Sequence, residues 1–274
     1  MAMTFSLSHS IESDGSLEQI GVNSLSLRGK GYASPDKFHL LRSKLEVPTL
    51  PAGTQRPRIH SLLARSIDQF PATLISGRSG TGKTSIAAAF AEHHGNIAWY
   101  TVESSDREWP VFSRYFHDML FRDPDSELKA EEGRNEPQEP SEFEIARFVL
   151  NSFKGSFKGG QPQPRLLILD DIHHIFDTEW FDSFFELLLY SLPEDHRLLM
   201  LCRSKPPGPL WRLRSKQMLN VIDEKVIEFT GKETEQLFAQ YGLSAAIARA
   251  AHRSCYGRAS RLIEFAEHAL AEND

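Results

Sequence analysis

The run Gly77-Arg78-Ser79-Gly80-Thr81-Gly82-Lys83-Thr84 constrains this chain more than any other stretch. It fits the pattern G-x-x-x-x-G-K-[ST] without a mismatch, and its flanks are of the right kind. Apolar Ala72–Ser76 reads as a strand before it, and SIAAAFAEHH (85–94) reads as a good helix after it. The chemistry explains the residue types. Gly77, Gly80 and Gly82 let backbone N–H groups turn inward and come close to phosphate oxygens, with Ser79 and Thr81 lining the same turn. A helix starting near Lys83 aims the positive end of its dipole at the anion, with Ser85 in its first turn. Lys83 reaches the β- and γ-phosphates as a point charge, and Thr84 offers a hydroxyl to Mg²⁺. The alternative is a glycine-rich turn that matches by chance, which both flanks argue against.

Around this loop the chain alternates. Five short apolar runs have strand length: Ala72–Ser76, Ile97–Val102, Leu166–Leu169, Leu198–Cys202 and Val226–Phe229. They are nearly continuous in Leu, Ile and Val, which suits strands buried on both faces of a parallel sheet. Helical patterns separate most of them, over Ser85–His94, Pro110–Phe121, Ser141–Ser152 and Glu179–Ser191. The expectation is an α/β fold, a five-stranded parallel sheet between helices, spanning 38–230. After Thr230 the pattern is helical, predicting a small lid subdomain over 231–274. Residues 1–37, rich in Ser and Gly, read as a loose leader. An acidic loop at about 122–140 and a Gly/Pro/Gln linker at about 154–164 interrupt the core.

A second acidic motif follows. Arg165-Leu166-Leu167-Ile168-Leu169-Asp170-Asp171 is an apolar strand ending in two carboxylates. Asp170 suits the Mg²⁺ shell and Asp171 is placed to polarise an attacking water. A plain helix N-cap is the alternative for the pair. His173 and His174 lack a usefully spaced third ligand and read as loop or packing residues. Arg203 ends the next strand, where a cation senses or stabilises the γ-phosphate; the alternative is a surface ion pair. Cys202 reads as a small buried hydrophobe.

Bulk properties add exclusions. A formal charge of −6 and no recognition-helix motif argue against direct DNA reading. Two cysteines fit a reducing compartment, and no apolar run approaches the roughly 18 residues of a membrane span. With no secretory signal pattern at its start, the chain is expected to be cytoplasmic.

From Phe38 to Ala271 the chain resembles the ATPase module of the STAND class (signal transduction ATPases with numerous domains). Within that class it is most similar to the maltose-regulator-like, LuxR-type bacterial transcription activators. The similarity is carried by LLRSKLEVPTLPAGTQRPRI (40–59), NIAWYTVESSDREWPVFSRYF (96–116), LLILDDIHHI (166–175) and RLLMLCRSKPPGPLWRLRSKQML (197–219). The resemblance implies ATP and ADP states with Mg²⁺, a helical lid, and self-association or protein partners on ATP binding. It implies that Arg56 and Arg58 sit near the nucleotide, although a charged turn around Pro57 is the other reading of these residues. Three departures stand out. Gly257-Arg258-Ala259 lacks the family's lid proline, Lys205 replaces an acidic residue before the double proline, and the acidic insert is long. Arg258 and Arg261 then become candidates for a second sensor arginine. The sensor and helix-turn-helix regions of the family do not follow before Asp274. The expected function is a Mg-dependent ATP switch with slow hydrolysis, acting in signalling or transcriptional control through partner chains. The alternatives are a non-hydrolysing interaction module and an oligomeric AAA+-type motor or loader subunit.

Overall fold

The central strand β1 (Ala72–Ser76) pairs in parallel with β4 (Arg197–Cys202) on one side and β5 (Leu219–Asp223) on the other. Beyond β4 lie β3 (Leu166–Asp170) and then β2 (Ile97–Thr101), giving the order β2-β3-β4-β1-β5. The computed structural model describes residues 41–49, 55–121, 139–154 and 165–271. The leader, nearly all of the acidic loop and nearly all of the linker lie outside the described residues.

Alternate side chains of each strand enter opposite cores, as the pleat requires. Leu74, Tyr100, Leu167, Leu198 and Met200 face α3 (Trp109–Phe121), α4 (Glu142–Lys154), α5 (Phe181–Ser191) and α6 (Gly208–Ser215). Ile75, Trp99, Ile168, Leu199 and Leu201 face α1 (Pro57–Gln69) and α2 (Lys83–Ala91). The strands are mostly apolar because both faces are covered. On the first side Trp109, Phe112, Trp180 and Phe184 form an aromatic cluster, with Phe112 and Trp180 centroids 4.6 Å apart.

The fifth strand corrects the sequence expectation. Val226–Phe229 is not a strand: α7 (Glu224–Ile227) is a single helical turn, and Phe229 lies in the connection after it. The strand is Leu219–Asp223, where Asn220 interrupts the apolar run. Asn220 is tolerated because its amide donates to Ser66 Oγ at 2.8 Å, and Ser66 Oγ lies 2.6 Å from the buried Thr73 hydroxyl. A polar cluster between α1, β1 and β5 thus replaces the apolar contact that the pattern led us to expect. Pro57 likewise opens α1 rather than a loose charged turn; proline is suited to a first helical position, where its missing N–H costs nothing.

After β5 and α7, three helices gather around their own apolar cluster of Leu237, Phe238, Leu243, Ala248, Ala251 and Leu262. They are α8 (Gly231–Gln240), α9 (Ala245–Cys255) and α10 (Ala259–Ala271). Thr230 and Glu233 form a reciprocal capping box at the start of α8. Glu233 also accepts from Arg56 (3.2 Å) and Arg58 (3.0 Å), which themselves donate to the Glu228 carbonyl. The Arg56 guanidinium lies over the Phe229 ring, 4.0 Å from its centroid. Two arginines at the start of α1 therefore tie down the connection into the helical unit.

Burial alone would raise the Glu233 carboxyl, but hydrogen bonds from Arg58, Arg56 and the Thr230 N–H outweigh it and bring the pKa down to about 2. A depressed carboxylate stabilises the fold above its ordinary value of 4.5, and that contribution is lost as pH falls toward 2. Wild type should therefore exceed Glu233→Gln in thermal stability at pH 7, and the gap should close between pH 4.5 and 2. Paired melting curves across that range measure it; a constant gap would assign the effect to packing instead.

Candidate functional site: the phosphate loop and its carboxylates

Between β1 and α2 the backbone makes two left-handed steps, at Gly80 (φ 78°) and Gly82 (φ 90°). Those angles are strained for a residue with a Cβ, which favours glycine at both. Gly82 is the N-cap of α2, and the loop therefore runs straight into the positive end of a helix. The loop carbonyls are satisfied from within the protein. Lys83 Nζ donates to Gly77 O (2.6 Å) and Arg78 O (3.0 Å), and the Thr81 hydroxyl donates to Arg78 O (2.9 Å). Lys83 is buried, and that burial pushes its pKa down against the opposing charges of Asp171 and Asp170. Ser79 and Ser85 are exposed.

At the end of the loop the Thr84 hydroxyl donates to Asp170 Oδ2 at 2.8 Å. Two hard oxygen donors thus stand side by side, the set that Mg²⁺ takes alongside phosphate and water oxygens. Asp170 sits at the end of β3 and is almost wholly buried. Desolvation, then the neighbouring Asp171 charge, lifts its pKa to about 6, against hydrogen bonds from Thr84 and the Asp171 N–H. A buried carboxylate held so far above its ordinary range gains from a cation beside it, and the donor pair therefore fits a divalent ion.

Asp171 follows in a left-handed conformation (φ 54°), which turns the chain at the end of β3. Arg203, leaving β4, holds both of its oxygens: Nε to Oδ1 at 3.0 Å and a terminal nitrogen to Oδ2 at 2.6 Å. The adjacency of β3 and β4 brings this pair together. The His173 and His174 rings are tilted against each other, with centroids 4.2 Å apart, and His173 Nδ1 lies 3.7 Å from Asp171 Oδ1. Among the described residues, no group of three or more His, Cys, Asp or Glu is arranged to hold a metal. Cys202 is buried and its thiol bonds to Ser204 O, with burial pushing its pKa up to about 11.

The helical unit reaches the loop through the start of α10. Arg258 donates to Ser79 O, and Ser260 N donates to Gly80 O at 3.0 Å. A Cβ on Gly80 would come 2.9 Å from Ser260 Cβ. Arg261 is exposed on α10 and makes no hydrogen bond to the loop among the described residues. Arg58 and Arg56 lie at the connection before α8, not at the loop. Two loop partners, Ser260 and Glu224, had no sequence signal, since neither belongs to a motif and both reach the loop only through the fold.

A parallel sheet in this order, a glycine loop entering a helix and a carboxylate beside that helix's threonine define a P-loop nucleoside triphosphatase fold. Residues 53–202, more than half of the chain, match the AAA ATPase domain model, and the chain belongs to that family. Among curated relatives, it is 24% identical to the HTH-type transcriptional regulator MalT of Vibrio campbellii over 185 residues, covering 68% of this chain and 20% of that protein. Identity to MalT of Serratia proteamaculans is 25% over 200 residues, covering 73% and 22%. The chain thus spans about a fifth of the length of these relatives. Among solved structures, it is similar in fold to a Walker-type ATPase of Pyrococcus abyssi, with a TM-score of 0.50, 15% identity, and 82% of this chain and 72% of that one covered.

Gly80→Ala combines a strained backbone angle with a close approach to Ser260. It should lower stability by about 1–3 kcal/mol in denaturant unfolding. A second change, Ser260→Gly, should recover only the steric part.

Proposed function

We propose that this chain is a Mg-dependent ATP switch module with slow hydrolysis, acting in signalling or transcriptional control through protein partners. The observation that carries this reading is Thr84 beside Asp170 at the end of the phosphate loop. Lys83, Thr84 and the loop amides would hold the phosphates, with Thr84 and Asp170 holding Mg²⁺. Magnesium-ATP, when bound, supplies a γ-phosphoryl group whose charge the ion neutralises for transfer to water.

The chain's own residues account for the rest. Lys83 places a buried cation at the phosphates. Asp171 orients water and accepts its proton, which requires that its oxygens be released from Arg203. Arg203, freed in the same event, carries its fork of N–H donors to developing negative charge. Slow turnover suits a switch, because the lifetime of each state carries the signal. The three C-terminal helices act as the lid, with Arg258 as its arginine at the loop; Arg261 and Arg58 are assigned no direct contact with phosphate. The MalT relatives are named as transcriptional regulators, which supports a regulatory role for the module here.

A second reading, a module that holds nucleotide without turnover, rests on the same Arg203 fork, since it occupies both oxygens of Asp171. Phosphate release from Mg-ATP decides between them. Lys83→Ala should weaken ATP and ADP binding by about 10- to 100-fold, the loss of charge-assisted hydrogen bonds. Asp171→Asn should retain binding and slow phosphate release by about 100-fold or more. Wild-type affinity in the first variant removes the site assignment, and unchanged turnover in the second removes Asp171 as base.

A further inference from the structure

Glu224 is the first residue of α7, which directly follows β5, the neighbour of β1 on the edge away from β4. Its Oε2 accepts the Arg78 backbone N–H at 2.7 Å, and its Oε1 accepts the Arg78 side chain, with Nε at 2.9 Å. The approach is also steric: a Cβ on Gly77 would lie 2.9 Å from Glu224 Cβ and 3.4 Å from its Cα. The first motif glycine therefore makes room for α7. Gly77 N is bonded to Cys202 O at 3.1 Å. The first two amides of the loop are thus spent within the protein, and the phosphate cradle begins at Ser79.

A carboxylate at the rim of an anion site is an electrostatic liability, because its charge opposes the ligand's. Here that charge is compensated. The Arg78 hydrogen bonds hold the Glu224 carboxyl below the usual carboxylate range, and the Arg78 side chain is itself mostly exposed, 71%. An exposed ion pair contributes little to stability. Its placement on the loop gives it another use.

We propose that Glu224 is a positioning residue, which fixes the first turn of the phosphate loop through the Arg78 amide, and that the Arg78 side chain cancels its charge beside the phosphates. The inference rests on the nucleotide-binding reading above. The charge-cancelling part has a signature of its own. Arg78→Ala leaves Glu224 in place but bare, and nucleotide affinity should fall about five- to tenfold. Adding Glu224→Gln removes the charge yet keeps an acceptor oxygen for the Arg78 N–H, so affinity should return to within about twofold of wild type. A merely structural pair would behave the other way, with the double variant no better than the single.

The experiment measures equilibrium binding of a fluorescent ATP analogue to the full 274-residue chain. It compares wild type, Arg78→Ala, Arg78→Ala/Glu224→Gln and Lys83→Ala at low and high salt, with apo melting temperatures beside them. Weakening in the single variant, recovery in the double and attenuation of both by salt are the expected results. Wild-type affinity in Arg78→Ala, or a double variant no tighter than the single, overturns the inference while leaving the nucleotide site standing. Equal binding by wild type and Lys83→Ala overturns the site and the inference with it. Should Arg78→Ala fail to fold, Arg78→Met keeps the stem and carries the same expectations.

Discussion

A phosphate-binding loop has to leave amides free for an anion while its own carbonyls stay satisfied, and this double requirement organises the molecule. Backbone polar groups near a protein core cannot go unpaired without cost. Here the carbonyls of residues 77–80 are taken up in turn by Lys83, Thr81, Arg258 and the Ser260 N–H. Lys83 belongs to the helix after the loop and Thr81 to the loop itself, while Arg258 and Ser260 come from the turn before α10 and from its first residues. The loop is therefore a junction at which α2, α7 and α10 meet.

That junction ties the helical unit to the chemistry. α10 touches the loop through its first residues, while α8 is anchored some distance back along the chain by Arg56, Arg58 and Glu233. Gly257 permits the close pass between these anchors: its φ is +71° and its carbonyl accepts the Phe229 N–H at 2.8 Å. The unit is thus held at one end by a charged cluster and at the other by loop carbonyls. Its own apolar cluster is separate from the two that flank the sheet.

The carboxylate side of the site shows a related economy. Asp170 and Asp171 are adjacent in sequence but differ in surroundings. One is buried beside Thr84 and pushed toward neutrality, the other is gripped by Arg203. Parallel pairing of β3 with β4 is what sets Arg203 opposite Asp171. On its other edge, the pairing of β4 with β1 delivers the Cys202 carbonyl to the Gly77 amide. Strand order thus decides which side chains meet, with Asp170, Asp171 and Arg203 at or just beyond the ends of β3 and β4.

How much of this was legible beforehand follows from range. The loop, its flanking strand and helix, and the two carboxylates are local patterns, set by glycine's backbone freedom and by continuous apolar runs, and they could be read residue by residue. The fifth strand was misplaced because Asn220 breaks its apolar run, and only the Ser66–Thr73 contact from another part of the chain makes that break acceptable. The contacts of Arg58 at the connection before α8 could not be read from the sequence, because its partners at Val226, Glu228 and Glu233 are supplied by chain about 170 residues away. Glu224 and Ser260 left no trace in any motif, since each acts on the loop through a contact that exists only after folding. The sequence by itself determined the phosphate loop and the class of fold, because those depend on local backbone sterics and periodicity. The tertiary structure decided which charges face one another, because ion pairs between distant segments are set by strand order and helix packing.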